Sequence, residues 1–192
     1  MERVFLDTNV LYPISIADLL LRLGDVALHA IVWSEDLLAE VERVLVEDKG
    51  LTSARAAYFC RCIREEFADE EVRREDYEHL VDTMTGKDPD DHAHAAAARV
   101  AATVLLTFNV DDFPEQDMGG VRVMTPDGYL VDALNHQSAT VLGVIEDMGA
   151  QRREPQPVTA TLAALEKAGL TTFAQRVRAL RGPAGEHRRP TS

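Results

Sequence analysis

Residues 88–113 read DPDDHAHAAAARVAATVLLTFNVDDF and contain three successive local signals. The turn-forming residues at the start lead to Asp91, which begins an alanine-rich segment typical of a helix. The apolar run TVLLT at 103–107 predicts a strand, and a loop with two acids follows it. A helix that leads directly into a short apolar strand is typical of α/β proteins.

The rest of the first 135 residues repeats this alternation of strands and helices. Short apolar runs predict three further strands, at 3–6, 27–33 and 121–124. Apolar residues at helical spacing predict helices between them, including one that runs from Val10 to a stop at Gly24. Strands separated by helices of ten or more residues predict βαβ units and a mostly parallel sheet, so the predicted fold class is α/β.

The charge is unevenly distributed along the chain. The 192 residues carry a net charge of −13, and 46% of them are hydrophobic, which is ordinary for a globular protein. Residues 1–150 contain 12 Lys and Arg against 30 Asp and Glu, whereas residues 151–192 contain 8 against 3. Most of the acids are expected to form a solvated surface, and a few to cluster around a divalent metal ion.

Signals of membrane insertion or secretion are missing from the sequence. No apolar run approaches the roughly 18 residues needed to cross a bilayer. The N-terminus has an acid at Glu2 and lacks the apolar region of a secretory signal. Cys60 and Cys62 are too few for a disulfide framework or a structural zinc site. We therefore expect a cytoplasmic protein with no membrane partner.

Acids follow the predicted strands at the edge of the sheet where α/β proteins place their sites. Asp7 follows the first strand, Asp112 lies in the loop after the third, and Asp91 begins the helix that feeds the third. Glu40 lies about two turns into the helix after the second strand. Asp91 could be only a helix cap and Glu40 only a surface acid. Asp7 is harder to explain structurally, because burying a carboxylate is costly unless it is paired or liganded.

A group of four carboxylates favours a bound hard cation such as Mg²⁺ or Mn²⁺, since these ions select oxygen ligands. The two histidines near Asp91 do not suggest zinc. His92 and His94 are two residues apart, so they do not form the i, i+4 pair of a zinc-binding helix.

Four blocks of the sequence resemble the PIN domain, in the same order, and above all the VapC-type ribonuclease toxin of bacterial toxin–antitoxin pairs. The blocks are LDTNVL at 6–11, SEDLLAE at 34–40, DPDD at 88–91 and LTFNVDDFP at 106–114. The resemblance implies a three-layer α/β sandwich over residues 1–135. Residues 136–181 are similar to a helical extension found in some PIN toxins, and 182–192 are predicted to be a disordered tail.

The resemblance implies a metal-dependent endoribonuclease that hydrolyses RNA phosphodiester bonds. The implied catalytic residues are Asp7, Glu40, Asp91 and Asp112, of which Asp7, Asp91 and Asp112 would bind metal. The implied supporting residues are Thr8, Asn9, Thr107 and Asn109. Many members of the family have aspartate where this chain has Asn109. A neutral amide is a weaker metal ligand, so Asp112 or Asp111 would supply the charge of a second metal site.

The implied cofactor is Mg²⁺, with Mn²⁺ as a substitute, and the implied partners are RNA, a cognate antitoxin and a second copy of the chain. RNA contacts are expected from the basic C-terminal part. The candidates are Arg152, Arg153, Arg176 and Arg178. These arginines could instead form solvated helix faces or dock this part onto the acidic body.

Three alternatives follow from the same residues. A phosphoacceptor domain of the response-regulator type needs adjacent acids after the first strand and a lysine late in the sheet, but Thr8 follows Asp7 and no lysine occurs from 88 to 166. A haloacid-dehalogenase-like phosphatase needs an acid where Asn9 stands. An RNA-processing nuclease without an antitoxin and a non-catalytic PIN-fold module both remain open.

Overall fold

The computed structural model describes residues 1–151 and 154–182. They form two compact units, which divide between Pro126 and Asp127. The first unit is built on a four-stranded, all-parallel sheet flanked by helices, and the second is helical. The predicted α/β fold class with C-terminal helices is therefore confirmed.

The four strands lie close to their predicted positions. They are β1 (Glu2–Leu6), β2 (His29–Val32), β3 (Val104–Leu106) and β4 (Arg122–Met124). Their order in the sheet is β2-β1-β3-β4, so β1 and β3 are the central strands. The residues of β3 are fully buried, as expected for an apolar strand covered on both faces.

Helices connect the strands and make up the second unit. The first unit contains α1 (Thr8–Leu11), α2 (Ile14–Asp25), α3 (Glu35–Glu47), α4 (Ser53–Glu66), α5 (Arg74–Val81), α6 (His92–Ala101) and α7 (Glu115–Met118). The chain then continues through α8 (Pro126–His136), α9 (Ser138–Ala150), α10 (Val158–Lys167) and α11 (Thr171–Arg181).

The prediction of one helix from Val10 to a stop at Gly24 is wrong at Pro13, where the helix is broken, and α2 runs one residue beyond Gly24. Pro13 adopts an extended conformation and separates α1 from α2, because proline cannot donate the backbone hydrogen bond that a continuous helix needs. Gly24 lies inside α2 and does not end it. A Cβ atom at this position would lie 2.9 Å from Ile31 Cγ1, so glycine allows α2 to approach β2 closely.

The pairing of β1 with β3 determines which residues meet at the edge of the sheet. Leu6 is in register with Leu106, and the Asp7 N–H extends the ladder with a 3.0 Å hydrogen bond to the Leu106 carbonyl. In a parallel pair both strands end at the same edge. Asp7 and Thr107 therefore leave the sheet side by side.

The second unit contains a pair of packed helices, α10 and α11. Leu162 and Leu165 of α10 and Phe173 of α11 are buried, and Gly169, at φ 112°, lies in the turn between these helices. Asp127 accepts hydrogen bonds from the Thr172 and Phe173 N–H groups at 3.2 and 2.8 Å and so caps α11.

The boundaries drawn from the sequence at residues 135 and 181 stay predictions. Apart from Gly182, the predicted tail lies outside the described residues. Among the helices that the structure describes, none is both long and apolar enough to span a membrane.

His29, the first residue of β2, provides a test of this packing. Its side chain is 1% exposed, and its Nε2 lies 3.0 Å from the Leu20 carbonyl oxygen. Burial lowers the pKa of His29 from its ordinary value of 6.5 to about 4, and the hydrogen bond to Leu20 opposes this only in part. The unfolded chain therefore takes up a proton at a higher pH than the folded chain does.

The stabilising effect of neutral His29 is complete above pH 6.5 and is lost as the pH falls towards 4. The wild type is therefore expected to lose up to about 3 kcal/mol of unfolding free energy over this range because of His29. In His29→Gln this contribution to the pH dependence should disappear. Urea unfolding at pH 7, 6, 5 and 4 measures this, with the exposed His136→Gln as the control. An unchanged pH dependence in His29→Gln would contradict the prediction.

Candidate active site

Asp7 is a buried carboxylate with a hydrogen bond to each of its oxygens. It follows β1 at the N-cap of α1 and is 2% exposed. Oδ1 accepts a hydrogen bond from the Thr8 N–H at 2.7 Å, and the Thr107 hydroxyl donates to Oδ2 at 2.7 Å. These bonds compensate part of the cost of burying the carboxylate.

The Thr107 side chain is held in place by groups from the segments that follow β1 and β3. Its hydroxyl oxygen accepts hydrogen bonds from Asn9 Nδ2 at 3.0 Å and from the Asn109 N–H at 2.9 Å. Asn9 Oδ1 in turn accepts the Phe108 N–H at 3.0 Å. Asn9, Thr107 and the Asn109 backbone therefore form one network that orients Asp7, and the roles assigned to them from the sequence stay predictions.

Asp91 lies in a 3-10 turn, Pro89–Asp91, directly before α6. Its side chain makes no capping hydrogen bond within the described chain, so capping does not explain its presence. Burial, together with the charge of Asp7, raises the pKa of Asp91 to about 7, although the nearby His94 opposes this change. The charged form of the Asp91 carboxyl is therefore disfavoured, mainly because the group is buried and also because Asp7 is close.

His94 lies one turn after Asp91 on α6 and is 1% exposed. Its Nε2 is 3.1 Å from Glu40 Oε2, and its Nδ1 is 3.5 Å from Asp7 Oδ1. Nδ1 has no hydrogen-bond partner among the described residues. Burial disfavours the charged imidazole, but the carboxylates of Asp7, Glu40 and Asp91 outweigh burial and raise the pKa of His94.

The two-residue spacing of His94 from His92 gave no indication of a role for His94. The signal that could have found it is the spacing of Asp91 and His94, which are three residues apart and so share one side of the helix. His92 instead places its Nε2 2.9 Å from the Gly86 carbonyl oxygen.

A pocket of about 360 Å³ opens over this cluster at the carboxyl ends of the central strands. It is lined by Asp7, Thr8, Asn9, Tyr12, Glu40, Val44, Asp48, Asp88, Asp91 and Asn109. Five of these are acids, and none of the lining residues in the described chain is a lysine or arginine. The structure thus brings together three of the four predicted catalytic acids, Asp7, Glu40 and Asp91.

Asp112 is not among the residues that line the described pocket, and Asn109 takes that place. Asp112 ends a 3-10 turn, Val110–Asp112, and its N–H donates to the Asn109 carbonyl at 3.0 Å. Its assignment as a catalytic residue and metal ligand stays a prediction.

Two acids of this pocket, together with His94 beside it, fit a divalent cation. One ligand atom each from Asp7, Asp91 and His94 lies within 4.8 Å of the others. Two buried polar atoms have no hydrogen-bond partner in the described part of the chain: Oγ1 of Thr8, which lines the pocket, and Nδ1 of His94, which lies behind Asp7 and does not line it. A cation with its bound water molecules would neutralise the carboxylates and satisfy such atoms.

The loop that leads to Asp91 is held by a second buried acid, Asp117, which sequence analysis also missed. Asp117 is 3% exposed, and its Oδ2 accepts the N–H groups of Thr85 and Gly86 at 2.6 and 3.0 Å. The Thr85 hydroxyl donates to Oδ1 at 3.0 Å. A Cβ atom at Gly86 would overlap the Asp112 carbonyl oxygen, so this close approach requires glycine.

The arginines predicted to bind RNA are only partly described. Arg178 pairs with Glu166 at 2.7 Å, and Arg176 donates to Asn135 Oδ1 at 3.4 Å, both within the second unit. Arg152 and Arg153 lie outside the described residues. Contacts of all four with RNA stay a prediction.

Comparison with known proteins bears on the second unit. Residues 126–179 match the VapC50 C-terminal domain. The match spans α8 to α10 and most of α11, and it suggests a relationship to the VapC family. Searches of curated proteins and of solved structures found no match.

The Asp117 contacts predict a measurable effect on the loop before Asp91. Asp117→Ala leaves three donors without their acceptor and is expected to lower the free energy of unfolding by about 2–4 kcal/mol. Asp117→Asn should cost less, because an amide can accept the two N–H groups and donate to the Thr85 hydroxyl. Urea unfolding and hydrogen exchange at Thr85 and Gly86 measure both effects.

Glu115→Gln, on the exposed side of the same helix, is the control for these variants. Asp117→Ala with a stability within about 0.5 kcal/mol of wild type would show that the buried carboxylate does not hold the loop.

Proposed function

We propose that this chain is a metal-dependent endoribonuclease and the toxin of a type II toxin–antitoxin pair. The activity is supported above all by the convergence of Asp7, Glu40 and Asp91 on one pocket at the carboxyl ends of the central strands. The toxin assignment is supported by the match of residues 126–179 to the VapC50 C-terminal domain and by the resemblance of residues 1–135 to the PIN domain.

Asp7 and Asp91 would hold the metal ion in this proposal, with Asp112 as a further predicted ligand. A bound Mg²⁺ or Mn²⁺ supplies Lewis-acid polarisation of the scissile phosphate and lowers the pKa of the attacking water. Thr107 and Asn9 keep the Asp7 carboxylate oriented through the hydrogen bonds described above. The Glu40 side chain is about a quarter exposed, so it can accept a hydrogen bond from water in the pocket and orient that water.

The substrate must bring phosphate groups to an acidic pocket, which requires cations at its rim. Lys49 is exposed, and its Nζ lies 3.9 Å from the ring centroid of Tyr12, a residue that lines the pocket. We assign Lys49 to a phosphate of the bound RNA. The arginines of the C-terminal part are also proposed to bind RNA, and a toxin of this class would act in the cytoplasm.

Removing single carboxylates from the pocket tests the nuclease assignment. Asp7→Asn and Asp91→Asn are each expected to lower cleavage of a structured RNA by at least about 100-fold, because each removes a charge that holds the metal. Asp112→Asn should lower cleavage less, since Asp112 does not line the described pocket. Cleavage is measured with purified protein in Mg²⁺, Mn²⁺ or EDTA.

Glu78→Gln, an exposed acid of α5, is the matched control and should retain wild-type cleavage. Equal cleavage by Asp7→Asn, Asp91→Asn and wild type would reveal a contaminating nuclease and remove the assignment. A folded protein that neither cleaves RNA nor binds Mn²⁺ would support the non-catalytic module. Asn109→Asp would then be the first variant to test for a gain of metal binding.

The toxin assignment has a separate test. We expect the product of the neighbouring upstream gene to form a stable complex with this chain on co-expression, and to inhibit its cleavage of RNA. An arginine of that partner would be strongly favoured in the acidic pocket, because guanidinium–carboxylate pairs form strong hydrogen bonds. Light scattering during size-exclusion chromatography measures both the complex and the proposed homodimer.

Failure to form a complex, together with metal-dependent cleavage, would favour an RNA-processing nuclease without an antitoxin. That result would remove the toxin assignment and leave the catalytic one in place.

A further inference from the structure

His94 has the surroundings of a metal-ligating histidine. Its Nε2 faces Glu40 Oε2 at 3.1 Å, whereas its Nδ1 lies 3.5 Å from Asp7 Oδ1. A ligand atom of His94 also lies within 4.8 Å of ligand atoms of Asp7 and Asp91. A histidine that ligates a metal through one ring nitrogen commonly donates its other N–H to a carboxylate, which sets the tautomer and the ring orientation. Glu40 occupies the position of that carboxylate.

The second observation is that Nδ1 is a buried polar atom without a hydrogen bond in the described chain. The ring is 1% exposed, so bulk water does not reach it. The nearest acceptor, Asp7 Oδ1, is 3.5 Å away and does not complete a hydrogen bond, whereas a core histidine would be expected to have a hydrogen-bond partner on each nitrogen. A metal ion held between His94, Asp7 and Asp91 would supply that partner.

We propose that His94 ligates the ion through Nδ1 and makes this pocket prefer a first-row transition-metal ion, such as Mn²⁺ or Fe²⁺, over Mg²⁺. The inference rests on the metal-binding part of the proposed function. Glu40 then acts as a positioning residue that orients the imidazole.

The preference follows from the donor set. Mg²⁺ is bound almost entirely by oxygen atoms and keeps several of its water molecules, so an imidazole nitrogen adds little to its affinity for the site. First-row transition ions accept imidazole nitrogen together with carboxylate oxygen. One nitrogen and two carboxylates thus favour a transition ion, whereas a site of carboxylates alone would accept Mg²⁺ readily.

Pulsed electron paramagnetic resonance of the full chain with Mn²⁺ alone tests the ligand directly. A directly bonded imidazole nitrogen produces a characteristic coupling in the spectrum, which changes when the protein is grown with ¹⁵N-labelled histidine. We expect this coupling in the wild type and in His29→Gln, a buried histidine away from the pocket, and its loss in His94→Gln. Bound Mn²⁺ without any nitrogen coupling would overturn the proposal, even where His94→Gln fails to fold.

A competition measurement tests the metal preference. The signal of free Mn²⁺ is followed as protein and then Mg²⁺ are added. We expect His94→Gln to weaken Mn²⁺ binding by at least about 10-fold while changing Mg²⁺ binding less. Equal losses for the two ions, or unchanged Mn²⁺ binding in a folded His94→Gln protein, would overturn the proposal.

These measurements do not depend on RNA cleavage. Nitrogen-ligated Mn²⁺ in a protein that cleaves no RNA would support this inference and count against the nuclease assignment. RNA cleavage by a protein that holds Mn²⁺ only through oxygen atoms would support the nuclease assignment and overturn this inference.

Discussion

The hydrogen bond from the Thr107 hydroxyl to Asp7 joins the ends of the two central strands, and the candidate site is built around it. Parallel pairing of Leu6 with Leu106 makes both strands end at one edge, so the residues that follow them become neighbours. Asp7 is buried there at a cost that its hydrogen bonds offset only in part. The remaining negative charge makes this edge suited to a cation.

Two helices and one loop complete the site by bringing further charge to Asp7. Glu40 lies on α3 and Asp91 lies at the start of α6. The buried Asp117 binds the loop that precedes Asp91. His94 lies between Asp7 and Glu40 as the buried group that can be positively charged or bind a metal. The carboxylates of Asp7, Glu40 and Asp91 repel one another, and a bound cation would reduce this repulsion.

Much of the fold could be predicted because its signals are local. The four strands are short apolar runs, and the helices follow from apolar spacing, so the parallel α/β class was within reach of the sequence. The break at Pro13 was missed because apolar spacing continued through it, although a proline in that position prevents a continuous helix. Gly24 was read as a helix stop, while its role is to let α2 approach β2, a contact between distant residues.

For the candidate site, the sequence alone was enough to expect Asp7, Glu40 and Asp91 near one edge of the sheet, since each acid follows a predicted strand or lies on a helix next to one, and parallel strands end at the same edge. The strand order came only from the structure. The sequence could not show which of Asn109 and Asp112 lines the pocket, because the path of a short acidic loop depends on what packs against it. The role of Asp117 was also beyond its reach, and the spacing from Asp91 could place His94 only on the same side of the helix. Their roles come from burial beside residues far away in the chain, and burial beside a particular charge exists only once the sheet, helices and loop have come together.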